Sequence, residues 1–250
     1  MSLRILFGLL SLAALAGPAR AADPDALWKI VHGRCVPDEQ AHENPAPCAT
    51  VDLAGGTAVL KDINGATQFL LIPTAQVSGI ESPAILAPDA PDYWGAAWAA
   101  RHLVDARAGH DLPRDAVSLA INAVSGRSQN QFHIHVDCVR TDIRDALRVH
   151  LSAIGPSWAP VPGGLAGHPY RAMRIEQSDL AGADPFRLLH ADPAAAADMA
   201  HETLVAIGAH FADGRDGFIL LADRADLLRG DRGSGEELQD HACAVARAPS

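Results

Sequence analysis

The chain has 250 residues, 48% of them hydrophobic and 20% charged, with a formal net charge of −10 at neutral pH. Such a length and apolar content suit one domain, with or without embellishment, around a substantial core. The acidic balance argues against a general nucleic-acid or anionic-membrane binder, so a polyanionic ligand would need positive charge concentrated locally.

Residues 1–21 read as a targeting segment rather than as a portion of the fold. Met1-Ser2-Leu3-Arg4 gives a positive start, an apolar stretch runs from Ile5 to Gly17, and Pro18-Ala19-Arg20-Ala21 offers an A-x-A-like cleavage site. The stretch is short for a bilayer span, so a secretory signal is expected, with a retained signal anchor as the other reading. Losing Arg4 and Arg20 takes the formal charge from −10 to −12. Residues 22–250 are expected to form a single domain.

Residues 25–33 have the pattern of a short helix. Cys35 and Cys48 then bracket a loop rich in Pro, Asn and Glu, and in an exported chain they are expected to pair. That leaves Cys138 with Cys243; four cysteines allow three connectivities, of which this one is favoured. Two apolar runs, residues 58–63 and 68–73, flank the hairpin dipeptide Asn64-Gly65. Residues 92–108 place Trp94, Trp98 and Leu103 at helical intervals after Pro91, so one amphipathic helix is expected, its tryptophans in the core or along a lipid-facing groove. Residues 118–122 read as a strand and 123–127 as a turn, which makes the following strand an antiparallel neighbour.

Residues 141–153 suggest a helix with Thr141 as its N-cap. Residues 155–167 are a Pro/Gly-rich loop. Strands are expected at 170–175, 203–211 and 218–222, with Asp213-Gly214 and Asp216-Gly217 at the last turn. The alanine-rich residues 191–199 carry no decisive period. The fold class is α+β: an antiparallel sheet with helices packed on it, with no internal repeat and no linker long enough to separate the chain into distinct domains.

The sharpest signal is Ser128-Gln129-Asn130-Gln131-Phe132-His133-Ile134-His135-Val136-Asp137-Cys138. Strand side chains alternate, so Phe132, Ile134 and Val136 face one way and His133, His135 and Asp137 the other. The three polar groups then stand roughly 6.6 Å apart along one face. A neutral imidazole is a good nucleophile towards phosphorus, and its neighbours can orient it or manage the leaving group's proton. The same row could also supply ligands to an open zinc site, or merely meet water as an edge strand.

Asp62-Ile63, the strand Phe69-Leu70-Leu71-Ile72-Pro73, Asn122 and His133-Ile134-His135 together resemble the histidine-triad superfamily of nucleotide hydrolases and transferases. Within it, further blocks resemble the bacterial CDP-diacylglycerol pyrophosphatases. They are Leu27-Trp28-Lys29-Ile30-Val31, Val59 to Gly65, Ser78 to Pro83, Gly126 to His135 and Glu236-Glu237-Leu238-Gln239-Asp240-His241. The resemblance implies a HIT-like sheet and hydrolysis of CDP-diacylglycerol to CMP and phosphatidate without a cofactor. It makes His135 the nucleophile and His133 its supporting neighbour. It also implies that Asp62 binds the ribose, Asn122 the nucleotide, Gln129 and Asn130 the phosphates, and that Arg127 neutralises charge.

The departure is Asp137, where the superfamily carries His or Gln. An ionised carboxylate would repel the leaving phosphate, so Asp137 is expected either to stay protonated or to pair with an arginine such as Arg127 or Arg140. Lys61, Arg127, Arg140 and Arg144 are the candidate cations. The remaining histidines, His241 among them, read as surface or structural. The expected partners are the lipid nucleotide and a membrane surface, not nucleic acid, and the expected place is the periplasmic side of the inner membrane in a bacterial envelope. Two other classes stay open: a metal hydrolase using His133, His135 and Asp137, and a noncatalytic binder of nucleotide lipids.

Overall fold

The computed structural model describes residues 23–247, so the targeting segment read at residues 1–21 lies outside the described residues. Nine strands form one antiparallel sheet: β1 (Thr50–Asp52), β2 (Thr57–Lys61), β3 (Phe69–Pro73), β4 (Val117–Ile121), β5 (Ile134–Cys138), β6 (Ala159–Pro160), β7 (Arg171–Ile175), β8 (Glu202–His210) and β9 (Asp216–Arg224). Their order is β1-β2-β3-β5-β4-β8-β9-β7-β6, so the histidine strand lies inside the sheet, between β3 and β4. The expected α+β class holds.

Helices cover both faces. The first begins as α1 (Ala26–Ile30), passes through a π-helical turn (Val31–Cys35) and ends as α2 (Val36–His42). It is thus longer than the expected 25–33, because Gly33 stays helical and the π turn leads directly into Val36-Pro37, placing Pro37 in the first turn of α2, where its missing N–H costs little. The helix expected over 92–108 is two, α3 (Tyr93–Ala99) and α4 (Arg101–Ala108), broken at Ala100. Arg101 marks the break: its guanidinium donates to the Trp98 carbonyl at 2.8 Å and stacks on the Trp98 ring at 4.4 Å. Both tryptophans are core residues, Trp94 against Phe186 and Trp98 against Phe218.

Helix α5 (Thr141–His150) already includes the residue expected to cap it. Arg140 is the N-cap and no side chain caps the helix. Two short helices, α6 (Pro185–His190) and α7 (Pro193–Ala196), account for the ambiguous alanine-rich stretch and its approach. Asp216 and Gly217 belong to β9, and the last turn is carried by residues 211–215 with Gly214 at φ 83°. The strand β1 and the two-residue β6 had no signature of their own.

One face of the sheet carries the main core, where Phe132, Ile134 and Val136 meet Trp94, Trp98 and Phe186. The opposite face carries two smaller clusters. Leu27, Val31, Leu60 and Leu70 gather under the first helix, and Ala120, Ile143, Leu147, Val205 and Leu221 gather under α5. His135 pairs with Leu70 on one side and Ala120 on the other. The polar row of β5 therefore runs along the seam between these two clusters, where neither layer of helices closes over it.

Both expected disulfides are present, Cys35–Cys48 and Cys138–Cys243. The first pins the N-terminal helix beside β1. The second ties the end of β5 to the C-terminal segment.

Candidate active site

The seam opens as a cleft of about 340 Å³. Its apolar wall comes from Leu27, Ile30, Leu60, Ile63 and Leu70. Its polar wall includes Lys61, Asp62, Asn122, Arg127, Gln129, His133, His135, Arg232 and Glu236. Two glycines let the pieces meet. Gly65 holds φ 69°, and a Cβ there would lie 2.6 Å from His241 Cβ, so the Asn64-Gly65 turn can lie against residue 241. A Cβ on Gly126 would lie 2.5 Å from the Gly233 carbonyl, which accepts from the Ala123 N–H at 2.9 Å and brings the 231–236 segment to the rim.

His133 and His135 are both buried, their rings edge-to-face at 4.7 Å. The His133 Nδ1 donates to the Gln131 carbonyl at 2.7 Å, which fixes the ring. The His135 Nδ1 lies 2.5 Å from the Gln68 amide and 3.2 Å from Glu236 Oε1, while its Nε2 has no hydrogen-bond partner among the described residues. A proton on Nδ1 shared with the Glu236 carboxylate leaves the lone pair on Nε2, and it requires the Gln68 amide to turn its oxygen, which has no other partner among the described residues, towards Nδ1. Burial, followed by the neighbouring His133 and His241, holds His135 well below the ordinary histidine value, so its neutral form prevails at neutral pH. Burial lowers His133 as well.

Glu236 is the residue that sequence reasoning missed. Its carboxylate accepts from Asn122 Nδ2 at 2.7 Å, which holds it beside His135. Asn122, expected at the nucleotide, is thus also the anchor of this carboxylate.

Asp137 does not pair with Arg127 or Arg140. Arg127 makes a two-pronged ion pair with Glu81, at 2.6 and 2.8 Å, and Arg140 pairs with Asp142. Asp137 instead accepts from Thr67 Oγ1 at 2.6 Å, from the Cys138 N–H at 2.8 Å and from His241 Nδ1 at 2.8 Å. His241, read from sequence as surface or structural, is half-buried and belongs to the site's support. With its oxygens so engaged, Asp137 does not converge with His133 and His135 as a three-ligand set.

The other expected residues fall in different places. Asp62 lies on the cleft wall and accepts from the Asn64 N–H at 2.8 Å. Gln129 also lines the cleft, but its amide spans Leu27 N and the Asp23 carbonyl; Asn130 is exposed and donates to Asp25. These two side chains hold the N-terminal helix against the β5 approach. Arg144 is engaged by Asp115, away from the cleft. Lys61 donates to the Asp62 and Gly65 carbonyls, and Arg232 to the Ser125 carbonyl. Among the described residues neither of these two cations pairs with a carboxylate, so both are available to an anion.

A family model described as CDP-diacylglycerol pyrophosphatase matches residues 22–247. The chain belongs to that family. It is 41% identical over 244 residues to the CDP-diacylglycerol pyrophosphatase of Yersinia pestis, covering 97% of this chain and 93% of that relative. The matched span includes every cleft residue named above.

The Asp137–His241 pair has a testable pH signature. The hydrogen bond to Asp137 raises His241 above its ordinary 6.5. A raised folded value means the pair's stabilisation is complete below pH 6.5 and fades as pH climbs through that raised value. Melting midpoints of wild type and His241→Gln should differ most in mild acid and converge in alkali. A gap that widens with pH would contradict this assignment.

Proposed function

We propose that the chain hydrolyses the phosphoanhydride of CDP-diacylglycerol to CMP and phosphatidate, with His135 as a covalent nucleophile. The substrate follows from the family and its Yersinia pestis member. The observation that carries the mechanism is the His135 ring, buried at the cleft with Nε2 unpartnered and Nδ1 beside Glu236.

In the first step Nε2 bonds to the cytidine-side phosphorus, and the bond from that phosphorus to the bridging oxygen breaks. Phosphatidate leaves with the electron pair. The ring, now bonded at both nitrogens, is cationic, and the Glu236 carboxylate at Nδ1 stabilises that charge. In the second step a water oxygen attacks phosphorus, the P–N bond breaks, CMP leaves and one proton passes to solvent. Lys61 and Arg232 offset the charge of the diphosphate, as an acidic chain requires. Asp62 accepts from the ribose hydroxyls, at a distance from the phosphates it would otherwise repel. His133 supports the His135 ring through their edge contact, and Asp137 serves from beneath the site with Thr67 and His241 instead of meeting the leaving phosphate.

The apolar wall suits the lipid half of the substrate. Ile63 is 98% exposed beside it, on the turn that also carries Asp62, a side chain suited to contact with a membrane surface. Two disulfides fit an oxidising compartment, and no helix among the described residues is long and apolar enough to cross a membrane. The disulfides support a place on the periplasmic side of the inner membrane, and the acidic chain favours the lipid nucleotide over nucleic acid as its partner.

The reading is tested by CMP release from vesicles containing CDP-diacylglycerol. Asp62→Ala should weaken substrate use by roughly 10- to 150-fold, the cost of about 1.5–3 kcal/mol for hydrogen bonds to a charged acceptor. It should matter little on an analogue lacking both ribose hydroxyls. Equal losses on the two substrates would sink the Asp62 assignment, and vesicle binding without CMP release would make the protein a binder.

A further inference from the structure

Beyond β8 a second cluster of charge has no role in this reaction. Asp223, near the end of β9, is only 2% exposed, yet neither of its carboxylate oxygens has a hydrogen-bond partner among the described residues. A buried carboxylate without a donor is costly, and its neighbours make matters worse. Asp231 beside it is 3% exposed, and Glu237 stands behind His168. The nearby arginines are engaged elsewhere: Arg224 with Glu202 and Asp198, Arg171 with Asp192 and Glu202.

The geometry resolves this excess of negative charge. One ligand atom from each of His168, Asp223 and Asp231 lies within 4.8 Å of the others. The His168 Nδ1 sits 2.8 Å from Glu237 Oε1, and the Tyr170 hydroxyl donates to the same oxygen at 2.8 Å. The same Nδ1 lies 3.8 Å from Asp231 Oδ1, so an ion bound there would replace the Nδ1 proton and have Glu237 close by. His168 and Asp231 also border a separate cavity of about 810 Å³, which provides access from solvent.

We propose that His168, Asp223 and Asp231 form a divalent-cation site, with Glu237, held by the Tyr170 hydroxyl, beside it. One imidazole with two carboxylates suits a first-row ion such as Zn²⁺ or Mn²⁺ better than the all-oxygen shells of Ca²⁺ and Mg²⁺. The site is separate from the cleft and does not depend on how the reaction is read. Its effect on the cleft is through the chain: Asp231 and Glu237 bracket the segment that carries Arg232 and Glu236, so a bound ion fixes the position of both.

The test uses the purified protein after dialysis against a chelator, titrated with Zn²⁺, Mn²⁺ and Mg²⁺ separately, with calorimetry and thermal melts as readouts. Wild type should bind one Zn²⁺ or Mn²⁺ per chain, with its melting midpoint raised by roughly 5–10 °C at about a hundredfold excess over Kd. Mg²⁺ should give a much smaller shift. Asp223→Asn and His168→Asn should lose the shift, while His135→Ala keeps it. Asp223→Asn also relieves like-charge repulsion, so its metal-free midpoint should equal or exceed that of wild type, which shows that the variant folds. No binding by wild type would overturn the site and leave the carboxylates sharing a proton. Binding kept by Asp223→Asn but lost in His135→Ala would also overturn it, by moving the ion to the cleft.

Discussion

His135→Ala should lose CMP-releasing turnover by roughly 10³- to 10⁵-fold, because a covalent route depends on one nitrogen that no neighbour replaces. His133→Ala should keep measurable turnover, since His133 acts through its contact with the His135 ring. The His135 backbone carbonyl still accepts from Gln239 Nε2 in the variant, so β5 keeps that tie to the C-terminal segment. Parallel melting curves separate a chemical loss from a folding defect: a native-like midpoint with turnover gone is the expected pair of results. Equal residual turnover in the two variants would mean that neither imidazole is the nucleophile.

The second large effect is on stability. Cys138–Cys243 closes a sequence separation of 105 residues, for which loop-closure entropy predicts about 4.7 kcal/mol. Cys243→Ser, with Cys138→Ser to avoid a stray thiol, should lower the melting midpoint by roughly 9–19 °C at this chain length. The bond joins the strand residue after Asp137 to the residue two beyond His241, so its loss should also loosen the Asp137–His241 hydrogen bond. Cys35–Cys48 closes a far shorter loop and should matter less, at about 3 kcal/mol. The same melts on a Cys35→Ser/Cys48→Ser pair check the order, and a reversed order would show that chain entropy does not govern these two bonds.

What the sequence made legible was local. The alternation from Phe132 to Asp137, the Asn64-Gly65 turn and the apolar runs of β3, β4, β8 and β9 each state their own conformation within a few residues, and the sheet follows from them. Helix ends were less legible because single side chains set them: Arg101 reaching back to the Trp98 carbonyl marks a break in what the periodicity joins. The cleft's histidines and Asp62 were visible through resemblance. Glu236 and His241 lay in a resembling block that assigned them no role, since about a hundred residues separate them from β5 and their segment has no period.

A signal for them existed nonetheless. An aspartate alternating with two histidines on a buried strand must find donors, and arginines close in sequence were the obvious guess. The structure recruits Thr67 and His241 from two loops instead, and leaves Arg127 to Glu81. Side-chain partners that arrive from distant loops leave no spacing to read.

The central claim is a bond between His135 and phosphorus. Brief reaction with CDP-diacylglycerol labelled at the cytidine-side phosphorus, quenched in base and followed by peptide mapping, tests it directly. The mechanism predicts label on His135, stable in base and lost in acid, appearing no later than free CMP and absent from His135→Ala. Full single-turnover release of CMP with no label on any histidine would contradict it.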